Sequence, residues 1–139
     1  MLEIKGLTGG YVNIPVLKDI SFEVGDGQLV GLIGLNGAGK STTINEIIGL
    51  LTPYQGEILI DGLSLRSDRT AYRKKIGFIP ETPSLYEELT LKEHIETVAM
   101  AYDIDSQTAM DRVDKLLQIF RLKDKLDWFP VNFSKGMKQ

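Results

Sequence analysis

The segment GLNGAGKS at residues 34–41 constrains the fold of this chain more than any other feature. It fits the phosphate-binding P-loop pattern, in which two glycines separated by four residues are followed by lysine and serine. Its three glycines allow the backbone to curl so that successive N–H groups face a phosphate chain. In this pattern the Lys40 ammonium reaches the β- and γ-phosphates and the Ser41 hydroxyl binds Mg²⁺. The motif therefore predicts binding of a nucleoside triphosphate.

The residues on either side of the P-loop support this prediction. Residues 28–33 form a short apolar run that is typical of a buried strand. The P-loop would then lie at the N-terminus of a helix, where free N–H groups and the helix dipole favour an anion. The alternative is a glycine-rich turn that is followed by Lys-Ser by chance. The apolar face of the predicted helix consists of Ile44, Ile47, Ile48 and Leu51.

The composition excludes several classes of protein. The chain has 139 residues, 42% of them hydrophobic, which suits one folded domain. Its net charge is −3 and it has no block of five basic residues, so we expect no nucleic-acid partner. It has no cysteine, no apolar run as long as a membrane span and no basic region typical of a signal peptide. We therefore expect a soluble cytoplasmic chain.

Hydrophobic periodicity divides the chain into two parts. The first, residues 1–89, is predicted to be an α/β core, and the second, residues 90–139, a helical subdomain. Thr90 and Glu93 form a capping box, and Ser106 is predicted to cap the next helix. Besides the P-loop strand, the pattern of the first part predicts strands at 2–7, 16–24, 57–61 and 76–79, turns at 8–11 and 25–27, and a helix at 68–75. The two helical faces of the second part are Leu91, Ile95, Val98, Ala99 and Tyr102, then Met110, Val113, Leu116, Leu117 and Phe120.

Three segments together resemble the ATP-binding subunits of ABC transporters. They are GLNGAGKST at 34–42, IGFIPETPSLYEELT at 76–90 and FSKGMKQ at 133–139, which is similar to the family's signature motif. The last two are especially similar to the Ecs-type transporter ATPases of Gram-positive bacteria. The resemblance implies an α/β fold of the P-loop NTPase, ABC type: an antiparallel β layer plus a parallel core sheet with an attached helical subdomain. It also implies that the fold is incomplete in these residues.

The resemblance implies a role for each matching residue. Tyr11 would stack on adenine, although it could instead be an ordinary turn or core tyrosine. Ser134 and Gly136 would touch the γ-phosphate of ATP held by a second subunit, whereas alone Ser134 would be an ordinary helix cap. Lys40 and Glu81 would be catalytic, and Ser41 and Glu81 would bind Mg²⁺. The residues expected to bind ATP are Tyr11, Gly34, Leu35, Asn36, Gly37, Ala38, Gly39, Lys40, Ser41, Thr42, Ser134 and Gly136.

Two residues depart from the family pattern. Glu81 occupies the position where the family has glutamine, and its carboxylate could also serve Mg²⁺ or its water, unless it only caps a loop. Lys135 replaces the first glycine of the signature pair, so it would lie either near a partner's γ-phosphate or in solvent.

Residues 83–89 match the segment that meets the membrane subunit in the family. Leu85 and Tyr86 would fill a groove of that subunit or pack within the helical lobe.

The predicted function is an ATPase subunit that couples ATP binding and hydrolysis to transport. Its partners would be a membrane-spanning subunit and a second ATP-binding subunit in a head-to-tail dimer, and it would be peripheral on the inner face of the cell membrane. The family's Mg²⁺-binding Asp, catalytic Glu and switch histidine follow the signature motif, so we expect these 139 residues to bind ATP without hydrolysing it. The alternatives are a soluble ABC-type ATPase acting on ribosomes or DNA, and an unrelated P-loop kinase or GTPase. His94 is expected on the surface.

Overall fold

The computed structural model describes residues 1–12 and 14–139. They divide into two compact units, Met1–Phe78 and Ile79–Gln139. This boundary lies upstream of the predicted one at residue 90, because the intervening loop is bonded within the second unit. The Tyr86 N–H donates to the His94 ring, and the Gln139 side chain donates to the Glu81 carbonyl. The division of function between residues 1–89 and 90–139 stays a prediction.

The first unit contains a three-stranded antiparallel sheet in the order β2-β1-β3. This is the predicted antiparallel layer, but β1 continues through residues 8–11, which the sequence predicted as a turn. It continues because Gly9 and Gly10 pair with Leu17 and Pro15 of β2 across an irregular register. The strands are β1, Leu2–Tyr11, β2, Ile14–Val24, and β3, Gln55–Ile60.

Apolar side chains from all three strands and one helix form the core of this unit. Within the described residues of this unit, two helices follow the P-loop: α1, Lys40–Ile47, and α2, Arg69–Arg73. The Tyr72 hydroxyl donates to the Ile47 carbonyl at 2.7 Å, which ties α2 to the end of α1. The buried core cluster consists of Ile4, Leu7, Leu17, Ile58 and Tyr72.

The two segments predicted as buried strands, residues 28–33 and 76–79, are not in strands. Leu29 is fully exposed, and Ile33 and Ile79 are 94% and 76% exposed. A buried parallel strand needs a hydrogen-bonded neighbour, and among the described residues no strand pairs with either segment. The parallel core sheet is therefore not formed within the described part of the chain.

The helix after the P-loop is shorter than its predicted apolar face. α1 ends at Ile47, because Gly49 takes a left-handed φ of 76° and its N–H donates to the Glu46 carbonyl. Ile44 is 37% exposed, whereas Ile47 is partly buried and packs against the core cluster, so the predicted apolar stripe is buried only in part. The buried residues of α1 are Thr42, Thr43 and Glu46.

The second unit is helical, and its first helix begins as predicted. The Thr90 hydroxyl accepts from the Glu93 N–H at 3.3 Å, and a Glu93 carboxylate oxygen accepts from the Thr90 N–H at 2.7 Å. This confirms the capping box. The helices are α3, Leu91–Ala101, α4, Ser106–Ile119, and α5, Lys135–Lys138, with 3₁₀ turns at Lys123–Lys125 and Pro130–Asn132.

The cap of α4 is Asp105, so the prediction of Ser106 was wrong. The Asp105 carboxylate accepts from the Thr108 N–H at 2.9 Å, and Ser106 is already the first helical residue. Asp105 has the extended backbone that a capping residue requires. It comes one residue before Ser106, so its carboxylate and not the Ser106 hydroxyl caps the helix. A cap assignment from sequence is therefore uncertain by one residue where two capping residues are adjacent.

The predicted apolar faces of α3 and α4 are buried only in part. Ala99 and Leu117 are each 5% exposed, whereas Val98, Leu116 and Phe120 are more than half exposed at 58%, 51% and 65%. Two packed helices bury only a narrow stripe of each. Within residues 1–12 and 14–139, none of the helices has the length and apolar character needed to cross a bilayer.

Candidate nucleotide-binding site

The P-loop leads directly into the N-terminus of α1. Gly39 is the residue before the helix and has a φ of 90°, and no side chain caps the helix there. The first N–H groups of a helix have no acceptor inside it, so those of Lys40, Ser41 and Thr42 remain available to a ligand. Gly37 also has a positive φ, 82°, which turns the loop back over this end of the helix. These donors and the helix dipole favour an anion.

Gly39 is also confined by its packing. A Cβ added there would lie 2.5 Å from Leu17 Cδ2, in the core of the first unit. Gly39 is buried, and its carbonyl accepts from the Thr43 N–H at 2.8 Å and the Thr43 hydroxyl at 3.0 Å. The P-loop therefore lies close to β2 only because this position has no side chain.

Lys40 is bound to its own loop. Its ammonium donates to the Gly34 carbonyl at 2.7 Å and to the Leu35 carbonyl at 2.8 Å. Both acceptors are neutral dipoles, so the positive charge of Lys40 is not cancelled by a carboxylate. A phosphate oxygen would be a stronger acceptor for this ammonium than either carbonyl.

A cleft of about 410 Å³ opens beside the N-terminus of α1 and brings most of the predicted site together. Tyr11 forms one end of the cleft, and Val16 lies beside it. Among the described residues, Lys40 is the only charged side chain of the lining, so the cleft favours an anionic ligand. Gly34, Leu35 and Ala38, which were also predicted to bind ATP, do not line it. The lining consists of Tyr11, Val16, Asn36, Gly37, Gly39, Lys40, Ser41 and Thr42.

Tyr11 and Val16 provide the apolar part of the cleft. The Tyr11 side chain is 47% exposed, and its hydroxyl lies 3.5 Å from Asn45 Nδ2 on α1. Sequence reasoning missed Val16, which is 39% exposed near the start of β2. An exposed valine in a strand is common, so its type alone gives no signal. Its proximity to Tyr11 follows from the pairing of β1 with β2.

Three predicted site residues lie in the second unit. Glu81 is exposed, and its backbone carbonyl accepts from Gln139 Nε2 at 3.1 Å. Ser134 caps α5 and accepts from the Met137 N–H at 3.4 Å, which confirms that Ser134 begins a helix. Gly136 and Lys135 are exposed in that helix. Their roles toward ATP, and that of Glu81 toward Mg²⁺, stay predictions.

A buried carboxyl lies further along α1, one turn after Thr42. Glu46 is fully buried, and neither of its carboxyl oxygens has a hydrogen-bond partner among the described residues. Burial raises the pKa of Glu46. A Cβ added at Gly9 would overlap this carboxyl, which explains why β1 has glycine there. The helix that follows the P-loop thus packs on β1 through the ionisable carboxyl of Glu46.

The comparison with known families decides which kind of P-loop protein this is. The model of the ABC transporter family matches residues 17–139. The chain belongs to the ABC transporter family. Membership of this family rules out the unrelated P-loop kinase or GTPase, and it confirms the resemblance drawn from the P-loop and signature segments.

Known ABC proteins match the chain along its whole length. It is 55% identical over 139 residues to the ABC-type transporter ATP-binding protein EcsA of Bacillus subtilis (strain 168), covering 100% of the chain and 56% of EcsA. A solved ATP binding subunit of an ABC transporter superposes with a TM-score of 0.91 at 52% identity, over 99% of this chain and 57% of that one. The similarity to EcsA confirms the Ecs-type resemblance.

A more distant ABC structure has the same fold. It is cbiO1 from Clostridium perfringens, part of the ABC transporter complex cbiONQ, with a TM-score of 0.82 and 25% identity over 99% of this chain and 57% of that one. The ABC-type α/β fold class is therefore confirmed. The chain spans little more than half the length of each of these three proteins.

Proposed function

We propose that this chain is the nucleotide-binding part of an ATPase that drives an ABC transporter. The cleft beside α1 carries the proposal, since Tyr11 and the free amides at the start of the helix line one space. Adenine needs an aromatic face on which to stack, and a triphosphate needs N–H donors and a cation. The cleft has all three. We place the protein in the cytoplasm, peripheral on the inner face of the cell membrane.

The residues of the cleft suggest how ATP is held. Tyr11 stacks on the adenine ring, with Val16 at its edge, and the amides of residues 36–42 donate to the phosphates. The ammonium of Lys40 exchanges its carbonyl acceptors, on Gly34 and Leu35, for β- and γ-phosphate oxygens.

Mg²⁺ would be held by oxygen ligands that include the Ser41 hydroxyl. Ser41 is exposed in the first turn of α1 and lines the same cleft as Lys40. Hard oxygen ligands are the ones that Mg²⁺ prefers, and the Glu81 carboxylate is the proposed second ligand. When bound, Mg²⁺ neutralises charge on the β- and γ-phosphates. Glu81 would also hold the attacking water, which is its proposed catalytic role.

In the complete protein we propose that ATP hydrolysis is coupled to transport through two partners. Ser134 and Gly136 would face the γ-phosphate held by a second ATP-binding subunit in a head-to-tail dimer. Residues 83–89 would contact a membrane-spanning subunit. The names of EcsA and cbiO1, both proteins of ABC transporters, support this over a soluble factor acting on ribosomes or DNA. The net charge of −3 also gives no support for a nucleic-acid partner.

Nucleotide titration of the purified chain tests the proposal. We expect a fluorescent ATP analogue to bind, and Lys40→Ala to weaken binding about 10- to 100-fold, since a charged hydrogen bond contributes about 1.5–3 kcal/mol. Tyr11→Ala should weaken adenine nucleotides about fivefold through lost stacking. Lys115→Ala, an exposed lysine of α4, is the matched control. Equal affinity of wild type and Lys40→Ala would refute the assignment of the cleft.

A turnover assay tests the second half of the proposal. Downstream of Lys40 these residues contain no acidic pair after an apolar strand, so we expect binding without hydrolysis. Steady Mg²⁺-dependent release of phosphate that Lys40→Ala abolishes would contradict this expectation. It would mean that residues 1–139 already contain the groups that orient the attacking water.

A further inference from the structure

His94 joins the first turn of α3 to the loop before it through both ring nitrogens. Nδ1 lies 2.8 Å from the Thr90 carbonyl oxygen, and Nε2 lies 3.0 Å from the Tyr86 backbone nitrogen. The Tyr86 and His94 rings are 6.0 Å apart and tilted by 35°. His94 is therefore half-buried and doubly bonded, which corrects its prediction as a surface residue.

These two bonds fix the protonation state of the ring. The Thr90 carbonyl can only accept a hydrogen bond, so Nδ1 must carry a proton. The Tyr86 amide can only donate, so Nε2 must be unprotonated. A neutral imidazole with its proton on Nδ1 satisfies both conditions. A protonated ring would place an N–H of His94 against the N–H of Tyr86, and that hydrogen bond would be lost.

We propose that His94 is a positioning residue that fastens residues 83–89 to α3 in its neutral form and releases them when it is protonated. The proposal rests on the proposed function, because these residues are the expected contact with the membrane subunit. Tyr86 is 65% exposed although its backbone N–H is bonded to His94, so its side chain is open to a partner. Protonation would put a second N–H donor at Nε2, where the Tyr86 amide needs an acceptor, so it would loosen this contact.

The surrounding charges favour release in acid. The Glu93 carboxylate accepts from both the Thr90 N–H and the Thr90 hydroxyl, and these bonds hold its pKa below the usual range. Glu93 thus stays negative in mild acid and attracts a protonated His94. The segment that precedes the 3₁₀ turn at Pro130–Asn132 also meets α3, where its carbonyls accept from the N–H groups of Leu91 and Lys92. The charged groups on these elements are Lys92, Glu93 and Glu96 on α3, Glu87 and Glu88 on the loop, and Asp127 on that segment, with Lys125 at the end of the 3₁₀ turn before it.

Two substitutions separate the two hydrogen bonds. A glutamine amide reaches the position of Nε2, so His94→Gln keeps an acceptor for the Tyr86 N–H but does not titrate. An asparagine amide reaches only the position of Nδ1, so His94→Asn keeps the donor to Thr90 and loses Tyr86. Amide exchange of Tyr86, corrected for intrinsic rates, is measured from pH 5 to 8 in the purified chain. Protection of Ala99 in α3 reports that the helix is folded.

In wild type we expect Tyr86 protection to fall about fivefold from pH 8 to pH 5, the effect of one net hydrogen bond. His94→Gln should stay protected throughout, and His94→Asn should be unprotected throughout, with Ala99 unchanged. Nitrogen chemical shifts of the ring should show the proton on Nδ1 at pH 8. The same pH dependence in His94→Gln, or a ring protonated on Nε2, would overturn the proposal.

A second measurement distinguishes failure of this proposal from failure of the proposed function. In the complete protein with its membrane partner, stimulation of ATPase activity by that partner should fall in His94→Asn and be restored in His94→Gln. The exchange data do not depend on the partner. If they behave as expected and no membrane protein binds, the fastening stands and the proposed contact is wrong.

Discussion

Replacing Gly39 by alanine tests how the P-loop is held at the start of α1. The φ of Gly39 is 90°, and an added Cβ would lie 2.5 Å from Leu17 Cδ2 and 3.3 Å from Val16 Cγ1. A left-handed backbone costs an L-residue about 1–2 kcal/mol, and overpacking adds about 1–3 kcal/mol. We therefore expect Gly39→Ala to lower the free energy of unfolding by about 2–5 kcal/mol. That is a large share of the stability of a small domain.

Gly37→Ala is the matched control. Gly37 has a similar φ, 82°, but an added Cβ there would meet nothing within 4 Å. It should therefore cost only the backbone part, about 1–2 kcal/mol. Urea unfolding followed by circular dichroism gives both values, and amide exchange of β1 and β2 assigns the loss to the first unit. Nucleotide titration then shows whether the loop still binds.

A double-mutant cycle isolates the contact with Leu17. Leu17 is 1% exposed, so Leu17→Ala alone should cost about 2–5 kcal/mol. The space that it leaves accommodates the added methyl group, so the double variant should lose about 1–3 kcal/mol less than the sum of the single ones. If Gly37→Ala and Gly39→Ala cost the same and the double variant is additive, Leu17 does not exclude a side chain at residue 39 and the reasoning is refuted.

Two further predictions concern Glu46 and the cap of α4. Because burial raises the pKa of Glu46 above 4.5, the folded state holds its proton more tightly than the unfolded state, and wild-type stability should fall as the pH rises from 4.5 through the raised pKa. Glu46→Met should remove this slope and stabilise the chain by about 1–3 kcal/mol at pH 7. Urea unfolding at pH 5, 7 and 8 measures both effects, and a less stable variant at pH 7 would contradict this prediction. Asp105→Ala should cost about 1 kcal/mol in thermal unfolding and Ser106→Ala under about 0.5 kcal/mol; the reverse order would show that Ser106 is the cap.

The local signals were predictable from the sequence where the interaction itself is local. The P-loop, the capping box of Thr90 and Glu93 and the helix start at Ser134 each depend on residues a few positions apart. The side chains and amides of these residues bond to one another regardless of how the rest of the chain folds. The apolar run at residues 28–33 is different, because a strand exists only when another strand pairs with it. No such pairing is present among the described residues, and Leu29 is fully exposed.

The glycines of β1 show a second limit of prediction from sequence. Gly9 and Gly10 were assigned to a turn because adjacent glycines usually mark one. In the strand they instead make room, Gly9 for the carboxyl of Glu46 and Gly10 for the Ile14 carbonyl. The Gly9 contact joins residues far apart in the chain, and the Gly10 contact forms only where β2 folds back on β1, so neither can be read from adjacent residues. Val16 in the cleft has the same origin, since its place beside Tyr11 comes from strand pairing alone.

The Gly34 and Leu35 carbonyls of the P-loop compete with a phosphate for the Lys40 ammonium. The ammonium is coordinated by two carbonyl dipoles of its own loop, at 2.7 and 2.8 Å. Any measured affinity for a phosphate is therefore a difference between two sets of bonds of one ammonium group. When a bound phosphate leaves, the same two carbonyls are placed to accept the ammonium again.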